Sequence, residues 1–144
     1  MIEGGCKCGA VRYTLDVEAM PPIYCCHCLT CQSWSGSAFS EQAVVPEDAI
    51  TISGPVVDFR LTNPSGAESH QRACGTCHSR IYNTNSARPG MAVVRAGTID
   101  DSQTLVPKAH IWVKRKQPWI EIAEGIPVFD ETPPPAEFFA SLMR

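Results

Sequence analysis

The 144-residue chain has no apolar stretch long enough to cross a bilayer. Its first ten residues, MIEGGCKCGA, lack the basic start and apolar run of a secretory leader. The expectation is a soluble, cytoplasmic protein with no membrane partner. Clustered positive charge is scarce as well. Twelve Lys and Arg against fifteen Asp and Glu give a net charge of −3, and only Lys114, Arg115 and Lys116 stand together. Such a chain has no broad cationic surface for a phosphate backbone, so nucleic acid is not an expected partner, and the short run reads as a solvated strand end. Repeats of solenoid or propeller length are missing, and no composition shift marks a domain boundary. No carboxylate pair stands out for acid and base work. GTIDD, residues 97–101, reads as a turn between strands in which Asp100 or Asp101 satisfies backbone donors.

Helical periodicity is also thin. A short helix fits Leu29 to Trp34, and Pro135 can open a last one ending near Leu142, after a stiff spacer of Pro133, Pro134 and Pro135. What the chain has instead is alternation. Val11, Tyr13 and Leu15 alternate with Arg12, Thr14 and Asp16, and Val57, Phe59 and Leu61 with Asp58 and Arg60, as half-buried strands do. Further strands are expected over 49–53, 69–73, 80–84, 91–96 and 109–113, each bounded by turn residues. The fold class is therefore mostly β, built of short antiparallel strands with little helix. The expected organisation is one domain, residues 1–144, with a tail from residue 130 that carries the short helix.

Eight cysteines are present, none of them isolated: Cys6 and Cys8 in GGCKCG, Cys25, Cys26, Cys28 and Cys31 in YCCHCLTCQ, and Cys74 and Cys77 in ACGTCH. A chain of this length can bury a core without covalent staples. In a reducing compartment, close cysteines are metal ligands or catalytic thiols more often than a disulfide framework, the alternative reading. Zinc takes four ligands at ~2.3 Å, which arrive in pairs on tight turns. Residues two apart in extended chain face the same side, so Cys6 and Cys8 form one pair and Cys74 with Cys77 a second. Together they make a tetrathiolate site that closes on itself.

CHCLTC supplies three thiols, Cys26, Cys28 and Cys31, and three ligands leave a position open, as catalytic zinc sites do. Cys25 would close that site if it ligated. Its side chain diverges from that of its neighbour Cys26 in extended backbone, which reads as packing. By the same alternation the ring of His27 turns away from a zinc between Cys26 and Cys28, as surface or supporting packing. His110 reads as a strand-end histidine with a structural hydrogen bond, or as a pocket acid or base. His78 reads as a support for Cys77. Trp34, Trp112 and Trp119 read by default as aromatic core, with Trp34 also a candidate wall of the site.

In their order along the chain, GGCKCGAVRY, CHCLTCQ, CGTC, RAGTIDD and HIWVKRKQPWIEIAEGIPVF resemble the glutathione-dependent formaldehyde-activating enzyme family, which includes centromere protein V. The resemblance runs from Gly4 to about Phe129. Ala73 and His78 depart from it, standing where an aromatic and a glycine are common. It implies a β-tent zinc-binding fold. It also implies a structural zinc on Cys6, Cys8, Cys74 and Cys77 and a catalytic zinc on Cys26, Cys28 and Cys31. The implied activity is that of a carbon–sulfur lyase joining a thiol such as glutathione to an aldehyde, as S-(hydroxymethyl)glutathione synthase does. Three thiolates on Zn²⁺ leave a net charge of −1, unsuited to hydrolysis but able to bind and deprotonate a fourth thiol. The second zinc is expected to be labile. A non-catalytic zinc-binding interaction module and a thiol or metal sensor are the other classes compatible with these residues.

Overall fold

The computed structural model describes residues 1–144 and contains ten strands and two helices. In chain order these are β1 (Ile2–Gly5), β2 (Arg12–Leu15), β3 (Ile23–Cys26), α1 (Leu29–Ser35), β4 (Ser40–Pro46), β5 (Ile50–Ser53), β6 (Val56–Thr62), β7 (Glu68–Cys74), β8 (Arg80–Asn85), β9 (Met91–Arg95), β10 (Ala109–Ile111) and α2 (Pro135–Leu142). Contacts group the chain into two compact units. One comprises Met1–Pro21 and Ala43–Gln103, the other Pro22–Gln42 and Thr104–Arg144, and β4 begins in the second and ends in the first.

The first unit holds an antiparallel three-stranded sheet in the order β1-β2-β5. Alternation in β2 buries Tyr13 and Leu15 and leaves Arg12 outside, where its guanidinium pairs with Asp100 at 2.9 and 2.5 Å. Asp100 of the GTIDD turn thus meets a side-chain cation. Gly4 lies opposite Tyr13 because a Cβ there would stand 2.3 Å from the Tyr13 ring.

The same unit carries the strand order β4-β9-β8-β7-β6, with β6 through β9 paired antiparallel. Val45, Ile81, Ala92 and Val94 are fully buried, Ile81 on the opposite face of the sheet from Ala92 and Val94. β6 forms where alternation predicts a strand, but its apolar side is not half-buried as expected. Val57, Phe59 and Leu61 are 43, 37 and 42 % exposed, because β6 is the outermost strand of this order.

In the second unit β3 lies between β10 and β4. β10 runs parallel to β3, with His110 opposite Cys25 and Ile111 opposite Cys26, a departure from the all-antiparallel expectation. Parallel neighbours require a long crossover, which the chain between β3 and β10 supplies. All four residues of β3 are buried, so no alternation marks it in the sequence. Helix α1 stops at Gly36, whose left-handed φ of 64° lets its N–H reach the Gln32 carbonyl. Helix α2 starts at Pro135 and packs Phe138 edge-on against Tyr24, centroids 4.9 Å apart. No helix is long and apolar enough to cross a membrane.

Candidate metal centres

Two turns build the first cluster. After Cys6 the chain reverses through Gly9, at φ 79°, so that the Val11 N–H donates to Cys6 Sγ at 3.2 Å. In CGTC the amides of Thr76 and Cys77 donate to Cys74 Sγ at 3.3 and 3.5 Å, and His78 closes the knuckle in the left-handed region at φ 63°. The sulfurs of Cys6, Cys8, Cys74 and Cys77 all lie within 4.8 Å of one another. Cys6 Sγ stands 3.5 Å from Cys8 Sγ, and Cys8 Sγ 3.8 Å from Cys74 Sγ. The support expected of His78 comes from Ser79 instead: its hydroxyl is 3.2 Å from Cys77 Sγ and accepts the Lys7 N–H at 3.3 Å. Hydrogen bonds from the Ser79 side chain and backbone bring the Cys77 thiol down to about 5. For Cys8 the downward pull of the Ala10 amide is outweighed by its cysteine neighbours and burial, which push it up to about 11. Thiols this close cannot all ionise without a cation among them, and amide donors already face the sulfurs. That donor set fits a soft or borderline divalent ion.

The second cluster is local. Cys26 ends β3, Cys28 caps α1 with its Sγ accepting from the Cys31 N–H at 3.3 Å, and Cys31 sits in the first helical turn. The sulfurs of Cys26, Cys28 and Cys31 lie within 4.8 Å of one another. Hydrogen bonds from Cys26 and Cys31 drive the Cys28 thiol far down, and the same bonds with burial drive Cys26 up. Gln42 Nε2 donates to Cys31 Sγ at 3.4 Å, and the Tyr24 hydroxyl donates to Gln42 Oε1 at 2.5 Å. Gln32 Nε2 ties the carbonyls of His27 and Arg115 at 2.8 and 2.9 Å. Gln42 carries no motif signal, since its role arises only when β3, β4 and α1 are brought together.

Cys25 is not a member of the cluster. It is buried, as expected, and burial, then the charge of Glu41, pushes its thiol up to about 12. On its side of β3 lies a cavity of about 400 Å³, lined by Cys25, Phe39, Glu41, His110, Trp119 and Ile120 among others. His110 makes the expected structural contact, its Nδ1 lying 2.8 Å from His27 Nε2, and it also lines this cavity. His27 is not at the surface. It is fully buried, its Nδ1 has no partner, and burial, then His110 and Lys116, brings it down to about 4. Burial lowers His110 too. Trp119, 71 % exposed, and Trp34, 37 % exposed, are not core aromatics. Trp112 donates its Nε1–H to Thr132 Oγ1 at 2.9 Å. All eight cysteines are unbridged.

Residues 1–115 match the family described as glutathione-dependent formaldehyde-activating enzyme. The chain belongs to this family. A protein of Halomonas elongata that carries the family's name provisionally is 26 % identical over 132 residues, 85 % of this chain and 81 % of its own. A Schizosaccharomyces pombe protein named as an uncharacterised lyase is 27 % identical over 89 residues, 60 % of this chain and 61 % of its own. A crystal structure of a Rhodobacter sphaeroides protein aligns with a TM-score of 0.56 at 15 % identity, covering 74 % of this chain and 98 % of that one. This last likeness concerns fold alone, and with the strand content it bears out the mostly β class.

Proposed function

We propose that the protein is a zinc-dependent, carbon–sulfur lyase-like enzyme of the cytoplasm acting on adducts of a small thiol, such as glutathione, with an aldehyde. The observation that carries this reading is the convergence of three thiols, Cys26, Cys28 and Cys31, within 4.8 Å of one another, in a chain whose other cluster has four thiols and needs no further ligand. Cys6, Cys8, Cys74 and Cys77 would hold a structural zinc, and Cys26, Cys28 and Cys31 a second, exchangeable one. Zinc bound by three thiolates would bind and deprotonate a fourth thiol, presenting a thiolate at neutral pH.

The chain's own groups suit that task. The Cys31 amide donates to Cys28 Sγ and the Gln42 amide to Cys31 Sγ, which draws electron density from the thiolates and tempers their net charge. Tyr24 fixes the orientation of Gln42, so the donor nitrogen faces the sulfur. The reaction class is addition of a thiolate to an aldehyde carbon: a carbon–sulfur bond forms and the carbonyl oxygen takes up a proton. The reverse releases both components. The family of the chain and the lyase name of its yeast relative support this class over hydrolysis.

The test is a metal-replete screen of thiol and aldehyde pairs with Cys28→Ser as control. Wild type is expected to bind two zinc ions and turn over at least one pair, and the variant to retain one zinc and lose turnover. Full activity in a Cys28→Ser chain that has lost one zinc would refute the proposal.

A further inference from the structure

Strand β6 ends its sheet and is paired on one side only, with β7. Antiparallel ladders alternate between residue pairs that exchange hydrogen bonds and pairs that do not. Just beyond the two ends of β6, the Gly75 N–H donates to the Pro55 carbonyl at 2.6 Å and the Asn63 N–H to the Ala67 carbonyl at 2.8 Å. Counting inward from both, Val57, Phe59 and Leu61 turn their backbone groups toward β7. Asp58, Arg60 and Thr62 therefore present theirs outward, as Val56 does its carbonyl, while the Val56 N–H already donates to the Gly54 carbonyl at 2.9 Å. The side chains alternate in the same sense: Val57, Phe59 and Leu61 form an exposed apolar row on one face, and Asp58 and Arg60 occupy the other.

Edge strands are usually guarded by lysine, proline, a bulge or a covering loop. β6 has neither lysine nor proline, and the irregularity nearby lies on β7 at Arg72 and Ala73. Its seven residues are nearly all exposed. Such an edge has a partner that fits it by sequence, namely itself.

We propose that β6 pairs antiparallel with β6 of a second copy of this chain, about a two-fold axis at Phe59. In that register Phe59 faces Phe59, Val57 faces Leu61, and Asp58 faces Arg60 of the other copy on the opposite side of the ladder. Asp58 and Arg60 then exchange both of their bonds with the same residues across the seam, and the Val56 carbonyl meets the Thr62 N–H at each end of the ladder. A slip of one residue would set outward groups against inward ones and lose the ladder. A slip of two would place Asp58 against Asp58 or Arg60 against Arg60, and like charges directly opposite are unfavourable. The pairing is thus specified by backbone parity, by charge and by the apolar row at once. Asp58 also bonds Arg72 Nε at 3.1 Å, yet its side chain stays 57 % exposed and free to meet a second guanidinium. A single seam is smaller than a standard interface, so the dimer forms on the order of micromolar and above.

The test is sedimentation of the full chain from about 1 to about 300 µM, with amide hydrogen exchange on the same samples. A concentration-dependent dimer is expected, in which the amides of Asp58 and Arg60 slow as dimer forms while those of Phe59 and Leu61 do not change. Arg60→Asp, at an exposed position, should weaken the dimer about tenfold or more. An equal mixture of Arg60→Asp with Asp58→Arg should restore it, because each copy then faces its complement. Thermal melts establish that each variant is folded, and Arg60→Asp alone suffices should Asp58→Arg fail to fold. A chain that is monomeric throughout leaves this edge to some other strand and overturns the proposal. So does a dimer whose Asp58 and Arg60 amides still exchange freely, or one that Arg60→Asp leaves unaltered.

Discussion

Acidification should destabilise the protein through His27, by an amount the structure allows to be worked out. The ring is fully buried, its Nε2 is engaged with His110 at 2.8 Å, and its Nδ1 has no partner to receive a charge. Its pKa accordingly falls from 6.5 to about 4, chiefly by burial and further by His110 and Lys116. Between these values the unfolded chain binds a proton that the folded chain refuses, so stability rises with pH across the window and falls as pH drops from about 6.5 toward about 4. The gap corresponds to roughly 3 kcal/mol in all, of which about 2 kcal/mol is lost by pH 5, and nothing further is gained above about pH 7. His110, lowered by its own burial, acts with the same sign. The assay is urea unfolding at about pH 7.5 and about pH 5, at fixed metal content, of wild type and His27→Gln. Protons also compete for the thiolates, but they do so in both chains, and the difference between them isolates His27. If the two chains lose stability in parallel, the buried imidazole is not the origin of the acid sensitivity.

Two substitutions test the packing around each cluster. Gly4→Ala would place its Cβ 2.3 Å from the Tyr13 ring and 2.6 Å from the Thr98 carbonyl, and should cost about 2 kcal/mol or more in a thermal melt. Gln42→Leu removes the donor to Cys31 Sγ and the Oε1 that accepts from the buried Tyr24 hydroxyl. It should cost about 1–3 kcal/mol and weaken metal retention at the second cluster about tenfold, read by competition with a chromophoric chelator.

Most of the strands were legible from alternation or from the turn residues that bound them, even β8 and β9, whose central residues are buried on both faces. β2, β5, β7, β8 and β9 begin and end within two residues of where alternation and turn residues put them. β3 was not, since parallel pairing with β10 and burial of all four residues leave no period to read. β4 escaped for another reason. Its buried positions include Ser40 and Gln42, polar residues whose burial depends on partners elsewhere in the chain. The cysteine pairs and the Cys26, Cys28 and Cys31 triplet were legible, because their spacing is a local property of the chain. Ser79, Gln42 and the His27–His110 contact were not. Each joins residues that only the fold makes neighbours, as the sequence separation of 83 between the two histidines illustrates.

The same contrast between local and distant residues separates the two clusters in their effect on stability. In the first, Cys8 and Cys74 are 66 residues apart, so an ion held there closes a long loop and removes entropy from the unfolded chain. By the relation used for covalent cross-links this is worth roughly 4 kcal/mol, against roughly 2 kcal/mol for the short span from Cys26 to Cys31. The second cluster, moreover, needs only the end of β3 and one turn of α1 to bring its sulfurs together. Cys74→Ser should therefore lower the denaturation midpoint strongly and empty the first site, whereas Cys28→Ser should empty the second and lower the midpoint about half as much. A graded chelator titration, followed by metal content and thermal unfolding together, should remove the second ion first with the smaller change in melting. If Cys28→Ser unfolds as readily as Cys74→Ser, the three-thiol site is a clasp like the other, and an exchangeable position for a substrate thiol has no physical basis there.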